Sequence, residues 1–61
     1  MKIKTDYEHC PYITAGKEYK VKYFYCGTAI FDNDYGEEIW TPVGEPSHHL
    51  GDDGIFEVID E

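Results

Sequence analysis

Five side chains in this sequence carry donors that suit a soft metal: His9, Cys10, Cys26, His48 and His49. Structural zinc sites draw on local pairs such as C-x₂₋₄-C and H-x₃₋₅-H, because one turn must aim two donors at a tetrahedron. Here the pairs are adjacent, His9-Cys10 and His48-His49, and neighbours on an extended chain point to opposite sides. No metal site is expected, and His48, His49 and a cysteine stand only as an alternative metal-binding set. A second cluster, Asp32-Asn33-Asp34-Tyr35-Gly36-Glu37-Glu38, invites calcium. An EF-hand loop needs Gly at position 6 and Glu at position 12. Counted from Asp32, position 5 is Gly36 and position 12 is Val43, so the register fails. Nucleophilic catalysis would need Cys10 or Cys26 beside a histidine and a third orienting group, and no motif provides that set. The chain is expected to be no enzyme and to carry no cofactor.

The elements that position these residues read as short strands. Glu18–Tyr25 alternates over eight residues, with Tyr19, Val21, Tyr23 and Tyr25 on the apolar face. That is the period of a half-buried strand, and these four residues are its predicted core face. Cys26-Gly27 turns the chain into a strand over Thr28–Phe31. Asp32–Gly36 is a run of turn formers ending in a glycine suited to positive φ. Glu37–Thr41 returns as a strand with Trp40 opposite in face to Ile39. Lys2–Lys4 and Ile55–Ile59 complete the set, the latter with Phe56 and Val58 on one face. Pro42–Gly54, with two prolines and three glycines, is a connection long enough to be functional or partly disordered.

Composition agrees. Six Tyr, three Phe and Trp40 make up 16% of 61 residues, while Leu50 is the only leucine. Aromatic and β-branched residues favour strands over helices. Four or five short strands and no helical period predict one all-β domain over residues 1–61, a small, mostly antiparallel barrel. Barrel closure would remove edges that a flat sheet this small cannot protect. No apolar run approaches the roughly 20 residues that span a membrane. No secretory segment precedes the cysteines, so a cytoplasmic protein with free Cys10 and Cys26 thiols is expected.

The net charge is −8, unevenly placed. The five lysines lie among the first 22 residues beside three acids, net +2; the other ten acids face no lysine or arginine, net −10. An acidic half disfavours direct nucleic-acid binding, which needs clustered Lys and Arg. It favours a basic protein surface as partner.

The segments Ile13-Thr-Ala-Gly-Lys-Glu-Tyr-Lys-Val21, Ala29-Ile-Phe-Asp-Asn-Asp-Tyr-Gly-Glu37 and Phe56-Glu-Val-Ile59 together resemble small phage and prophage proteins with an SH3-like barrel. The resemblance covers residues 13–59. It implies an SH3-like fold, a viral or mobile-element origin and, for a phage protein, residence in the host cytoplasm. It implies little chemistry, because a fold does not fix a function.

The expected role is a non-catalytic phage or prophage accessory protein that binds and modulates a host protein with a basic surface, such as a defence or nucleic-acid enzyme, with inhibition the favoured form of modulation and recruitment the other. The expected contact residues are Asp32, Asp34, Tyr35, Glu37, Glu38, Trp40, Asp52 and Asp53. Among the aromatics, Phe24 and Tyr35 are the first candidates for exposure. The protein is expected to be a monomer or small homo-oligomer, and the alternative class is a structural subunit or homo-oligomer that pairs through edge strands.

Overall fold

A computed structural model describes residues 1–60. Those residues form six strands: β1 (Lys2–Lys4), β2 (Tyr19–Lys20), β3 (Tyr23–Tyr25), β4 (Thr28–Asp32), β5 (Glu38–Pro42) and β6 (Glu57–Asp60). A single 3₁₀ turn, His48–Leu50, precedes β6, and there is no α-helix among the described residues. The strands make two three-stranded sheets, ordered β2-β1-β6 and β3-β4-β5, and every pairing is antiparallel. The chain is therefore all-β, but the two sheets do not close into a barrel. Beyond the ladders, an isolated bridge links Pro46 to Ile55, and Gly44 N–H donates to the Phe56 carbonyl at 2.9 Å. Strands of two to five residues are too short to carry one continuous ladder around both sheets.

The predicted strand over 18–25 is divided. Tyr19 and Lys20 pair with Ile3 and Lys2 in the first sheet, whereas Tyr23–Tyr25 pair with Ile30–Thr28 in the second. At the crossing, Lys22 N–H donates to the Ile30 carbonyl at 2.8 Å, although the register partner of Ile30 is Tyr23. Two residues facing one is the count of a β-bulge, which shifts the alternation of every side chain beyond it. Tyr19 is consequently buried, but Tyr23 and Tyr25 turn outward to 66% and 77% exposure. The predicted core face is right at Tyr19 and wrong at Tyr23 and Tyr25. The division also raises the strand count from the expected four or five to six.

Cys26 and Gly27, with φ of 51° and 78°, supply the two positive φ values of a two-residue hairpin turn matched to strand twist. They fix the register Tyr25↔Thr28 and Tyr23↔Ile30. The next turn is built by Asn33, whose Oδ1 accepts from the N–H of Tyr35 (2.9 Å) and Glu37 (3.0 Å). Gly36 there takes a φ of 78°, the conformation for which the sequence reserves a glycine.

Ile3, Cys10, Ile13, Tyr19, Ala29, Phe31, Leu50 and Phe56 form the core. Phe31 is its centre, with the Tyr19 ring 5.2 Å and the Phe56 ring 5.5 Å away, both tilted or edge-on. Such pairs add about 0.5–1.5 kcal/mol each to the area they bury. The long Pro42–Gly54 connection packs too. Leu50 is fully buried, and Ser47 N–H donates to the Gly54 carbonyl at 2.9 Å. The last strand starts later than predicted, at Glu57, with Phe56 buried ahead of it and Val58 39% exposed.

Candidate interaction surface

The hairpin registers put Tyr23, Ile30 and Trp40 side by side across β3, β4 and β5. All three belong to the outer face of the second sheet, because Ala29, Phe31 and Thr41, which alternate with them, are fully buried. Tyr23 is 66% and Trp40 63% exposed, with Ile30 half-buried between them. Two interstrand spacings separate Tyr23 from Trp40, roughly 10 Å. One step along the strands stand Tyr25, Thr28 and Pro42; one step the other way stand Asp32 and Glu38, directly opposite each other. Three apolar or aromatic side chains thus stand in an open row rimmed by charge.

Like charges placed opposite on adjacent strands repel. Lys22 relieves this pair, its Nζ lying 3.2 Å from Asp32 Oδ1 and 2.9 Å from Glu38 Oε2. The Glu38 carboxylate, then that of Asp32, holds the Lys22 ammonium above its ordinary pKa. Two carboxylates against one ammonium leave this rim negative.

His49, in the 3₁₀ turn, fixes the strand behind Trp40. Its Nε2 lies 2.7 Å from the Trp40 carbonyl, which can only accept, so Nε2 carries the proton. Its Nδ1, 2.8 Å from the Tyr12 hydroxyl, is then the acceptor. The ring is neutral in this arrangement, and burial, then the neighbouring His48, lower its pKa. Because the Trp40 carbonyl points away from β4, Ile30 and Trp40 form the close, non-hydrogen-bonded type of pair. Ser47 begins the 3₁₀ turn, its Oγ accepting from His49 N–H at 3.2 Å.

The expected contact residues part company here. Asp32, Glu38 and Trp40 share the outer face. Tyr35 is exposed at the tip of the β4–β5 loop, its hydroxyl donating to the Pro11 carbonyl at 3.3 Å, and Glu37 is exposed beside it. Asp34, although exposed, has its carboxylate engaged within the fold. It accepts from Thr14 Oγ1 at 2.6 Å, the Tyr19 hydroxyl at 2.7 Å and Lys17 Nζ at 2.9 Å. Those three donors, Thr14 first, bring its pKa down to about 2. Asp52 and Asp53 lie in the turn after Leu50, with Asp53 bordering a shallow groove beside Lys4, Asp6 and Tyr7 of the first sheet's side. Phe24 (46% exposed) and Tyr35 (69%) are both open to solvent, but Tyr23, Tyr25 and Trp40 are at least as exposed as Phe24. The Cys26-Gly27 turn is the signal for this, since a two-residue hairpin dictates which residue faces which.

Cys10 is buried in the core and Cys26 exposed at the first hairpin turn, both as free thiols. Among the described residues no three His, Cys, Asp or Glu side chains gather as metal ligands, and both His49 nitrogens are engaged. No helix among those residues is long and apolar enough to cross a membrane. No protein-family model, no curated protein and no solved structure matches this chain.

Proposed function

We propose that this chain is a non-catalytic binding module that engages a host protein with a basic surface through the outer face of β3-β4-β5. The observation that carries the reading is the open row Tyr23–Ile30–Trp40 with the Asp32–Glu38 pair along its rim. Aromatic residues at the centre of such a patch supply binding energy, and the acidic rim, in a protein of net charge −8, steers a basic partner toward it. Tyr35 and Glu37 at the neighbouring loop extend the contact. The role of phage or prophage accessory protein, inhibiting a host enzyme in the host cytoplasm, draws its support from the motif resemblance and the small size. An SH3-like assignment draws its support from two small antiparallel sheets with the chain crossing between them at Val21–Lys22.

The test is affinity purification from host lysate, at low and high salt, with the wild type and Trp40→Ala in parallel. The expected result is a partner retained by the wild type, weakened by salt and lost by the variant. A partner retained equally by both places the contact elsewhere, and no partner in either condition overturns the reading.

A second reading, self-association by edge strands, is favoured by β6, where Val58 (39%) and Ile59 (37%) are exposed next to Ile55 (41%). Light scattering at high concentration decides it: a monomer removes this alternative.

A further inference from the structure

We infer that the outer face of β3-β4-β5 takes an arginine side chain of its partner, the guanidinium lying over Ile30 between the Tyr23 and Trp40 rings with its N–H groups on Asp32 and Glu38. The inference rests on the binding role proposed above and specifies what is recognised.

Four observations converge on it. The first is width. A planar group between two rings needs van der Waals contact of about 3.5 Å on each side, some 7 Å in all, and the strands that carry Tyr23 and Trp40 run roughly 10 Å apart on either side of Ile30, which leaves room for it. The second is vacancy of the ring faces. Among the described residues the cation–π contact is Lys17 over Tyr19, at 5.1 Å, and it involves neither Tyr23 nor Trp40. The rings of Tyr23 and Trp40 thus remain free for a cation, and indole is the best face for one.

The third is the state of the carboxylates. Lys22 engages Asp32 through Oδ1 and Glu38 through Oε2. The partner oxygens, Oδ2 and Oε1, carry no hydrogen bond among the described residues, and the trio of charges sums to −1. A guanidinium offers a planar fork of donors that meets two such acceptors while its face stacks on a ring. An ammonium would only repeat what Lys22 already does as a point charge. The fourth is rigidity. His49 Nε2 holds the Trp40 carbonyl at 2.7 Å, and the Asp32↔Glu38 and Ile30↔Trp40 registers hold the rest. A site on braced strands loses little freedom when it binds. A second copy of this chain is a poor occupant, because each copy bears −8 and would bring acids against acids.

Trp40 is the only tryptophan, so its fluorescence reports on the site directly. The intact chain is titrated at low salt with capped tetra-arginine and capped tetra-lysine peptides, equal in charge and length. A saturable change of Trp40 emission with an affinity for the arginine peptide at least about fivefold tighter is expected. Tyr23→Ala, and separately Asp32→Asn with Glu38→Gln, are each expected to abolish that preference while circular dichroism stays unchanged. Equal affinity for the two peptides overturns the arginine inference and leaves the basic-partner role standing. Arginine preference that survives both variants overturns the site. If neither peptide perturbs Trp40, the inference and the proposed role fall together.

Discussion

Asp34 Oδ1 accepts the Tyr19 hydroxyl proton across 2.7 Å, and through that one bond the β4–β5 loop is fastened to the ring that packs on Phe31 at the core's centre. Thr14 and Lys17 complete the fastening from a third segment of chain. The Tyr19 oxygen serves both ways, since it also accepts Thr14 N–H at 2.7 Å.

The folded-state pKa of Asp34, about 2, lies below its ordinary 3.8. The unfolded chain therefore binds the proton more readily than the folded one, and stability rises with pH through that window. The contribution is complete above about pH 4 and is lost as pH falls toward 2. Asp34→Asn is expected to cost about 1–2 kcal/mol at neutral pH and to flatten the acid limb. Urea unfolding between pH 2 and about 7 measures both, and an unchanged limb in the variant refutes the assignment.

His49 acts in a higher window. Burial lowers its folded pKa below the ordinary 6.5, so the unfolded chain binds this proton more readily too. Its contribution is present above about pH 6.5 and declines as pH falls through that value. Tyr12→Phe removes the hydroxyl that donates to Nδ1 of the neutral ring and should move the midpoint upward. An NMR titration of the His49 ring follows it; a downward move would contradict the tautomer with its proton on Nε2.

Thr41 and Ser47 are both fully buried, their hydroxyls 2.6 Å apart. Thr41 donates to the Pro42 carbonyl and Ser47 accepts from His49 N–H, which makes Ser47 the donor to Thr41. Ser47→Ala and Thr41→Val should each cost about 1–2 kcal/mol, or roughly 8–16 °C in Tm for a domain this size. The double variant should cost clearly less than the sum, because removing both partners leaves no buried hydroxyl unmatched. Additive losses would show that the relay is not coupled.

Gly54 and Gly27 are needed for different reasons. A Cβ on Gly54 would lie 2.6 Å from Leu50 Cβ and 2.9 Å from Tyr7 Cβ, whereas one on Gly27 meets nothing within 4 Å but must sit at φ +78°. Gly54→Ala is expected to cost about 2–3 kcal/mol through overpacking, and Gly27→Ala about 1 kcal/mol through backbone strain. Asn tolerates the left-handed region, so Gly27→Asn should recover stability and Gly54→Asn should not. Thermal melts of the four variants distinguish the causes.

Trp40→Ala should change stability by less than about 1 kcal/mol, because the side chain stands mainly in solvent and contributes only cross-strand pairing. Phe31→Ala, at the core's centre, should cost about 3–5 kcal/mol and prevent folding. Chemical denaturation of Trp40→Ala provides the check. A large loss would make Trp40 structural and remove it from the binding face.

The β4–β5 hairpin is legible in the sequence because its signals are local: alternation on both sides and an Asn-to-Gly turn with one positive-φ position. Asp32, Glu38 and Trp40 follow from that register alone. The strand over 18–25 misleads because one extra residue at Lys22 reverses the faces beyond it, and alternation of Tyr23 and Tyr25 looks the same whichever way they point. Asp34 reads as a contact residue because its partners, Thr14, Lys17 and Tyr19, come from a different strand and loop, and no local pattern announces them. His49 escapes for the same reason, since the Tyr12 hydroxyl and Trp40 carbonyl that hold it meet only in the folded chain. Asp52 and Asp53 match the hairpin acids in charge but not in place.

The central position of β1 has a consequence for biosynthesis. Lys2 pairs with Lys20 on one side and with Asp60 on the other, so the first sheet joins nearly the whole described chain. The second sheet needs only residues 23–42, joined by two tight turns. As the chain leaves the ribosome, the aromatic-bearing sheet has all its partners once Pro42 has emerged, while β1 must wait for Glu57–Asp60. Local pairing closes faster than distant pairing. The sheet that carries the proposed binding surface therefore has all its strands before the first sheet does, and β1 is paired on both sides only once β6 follows.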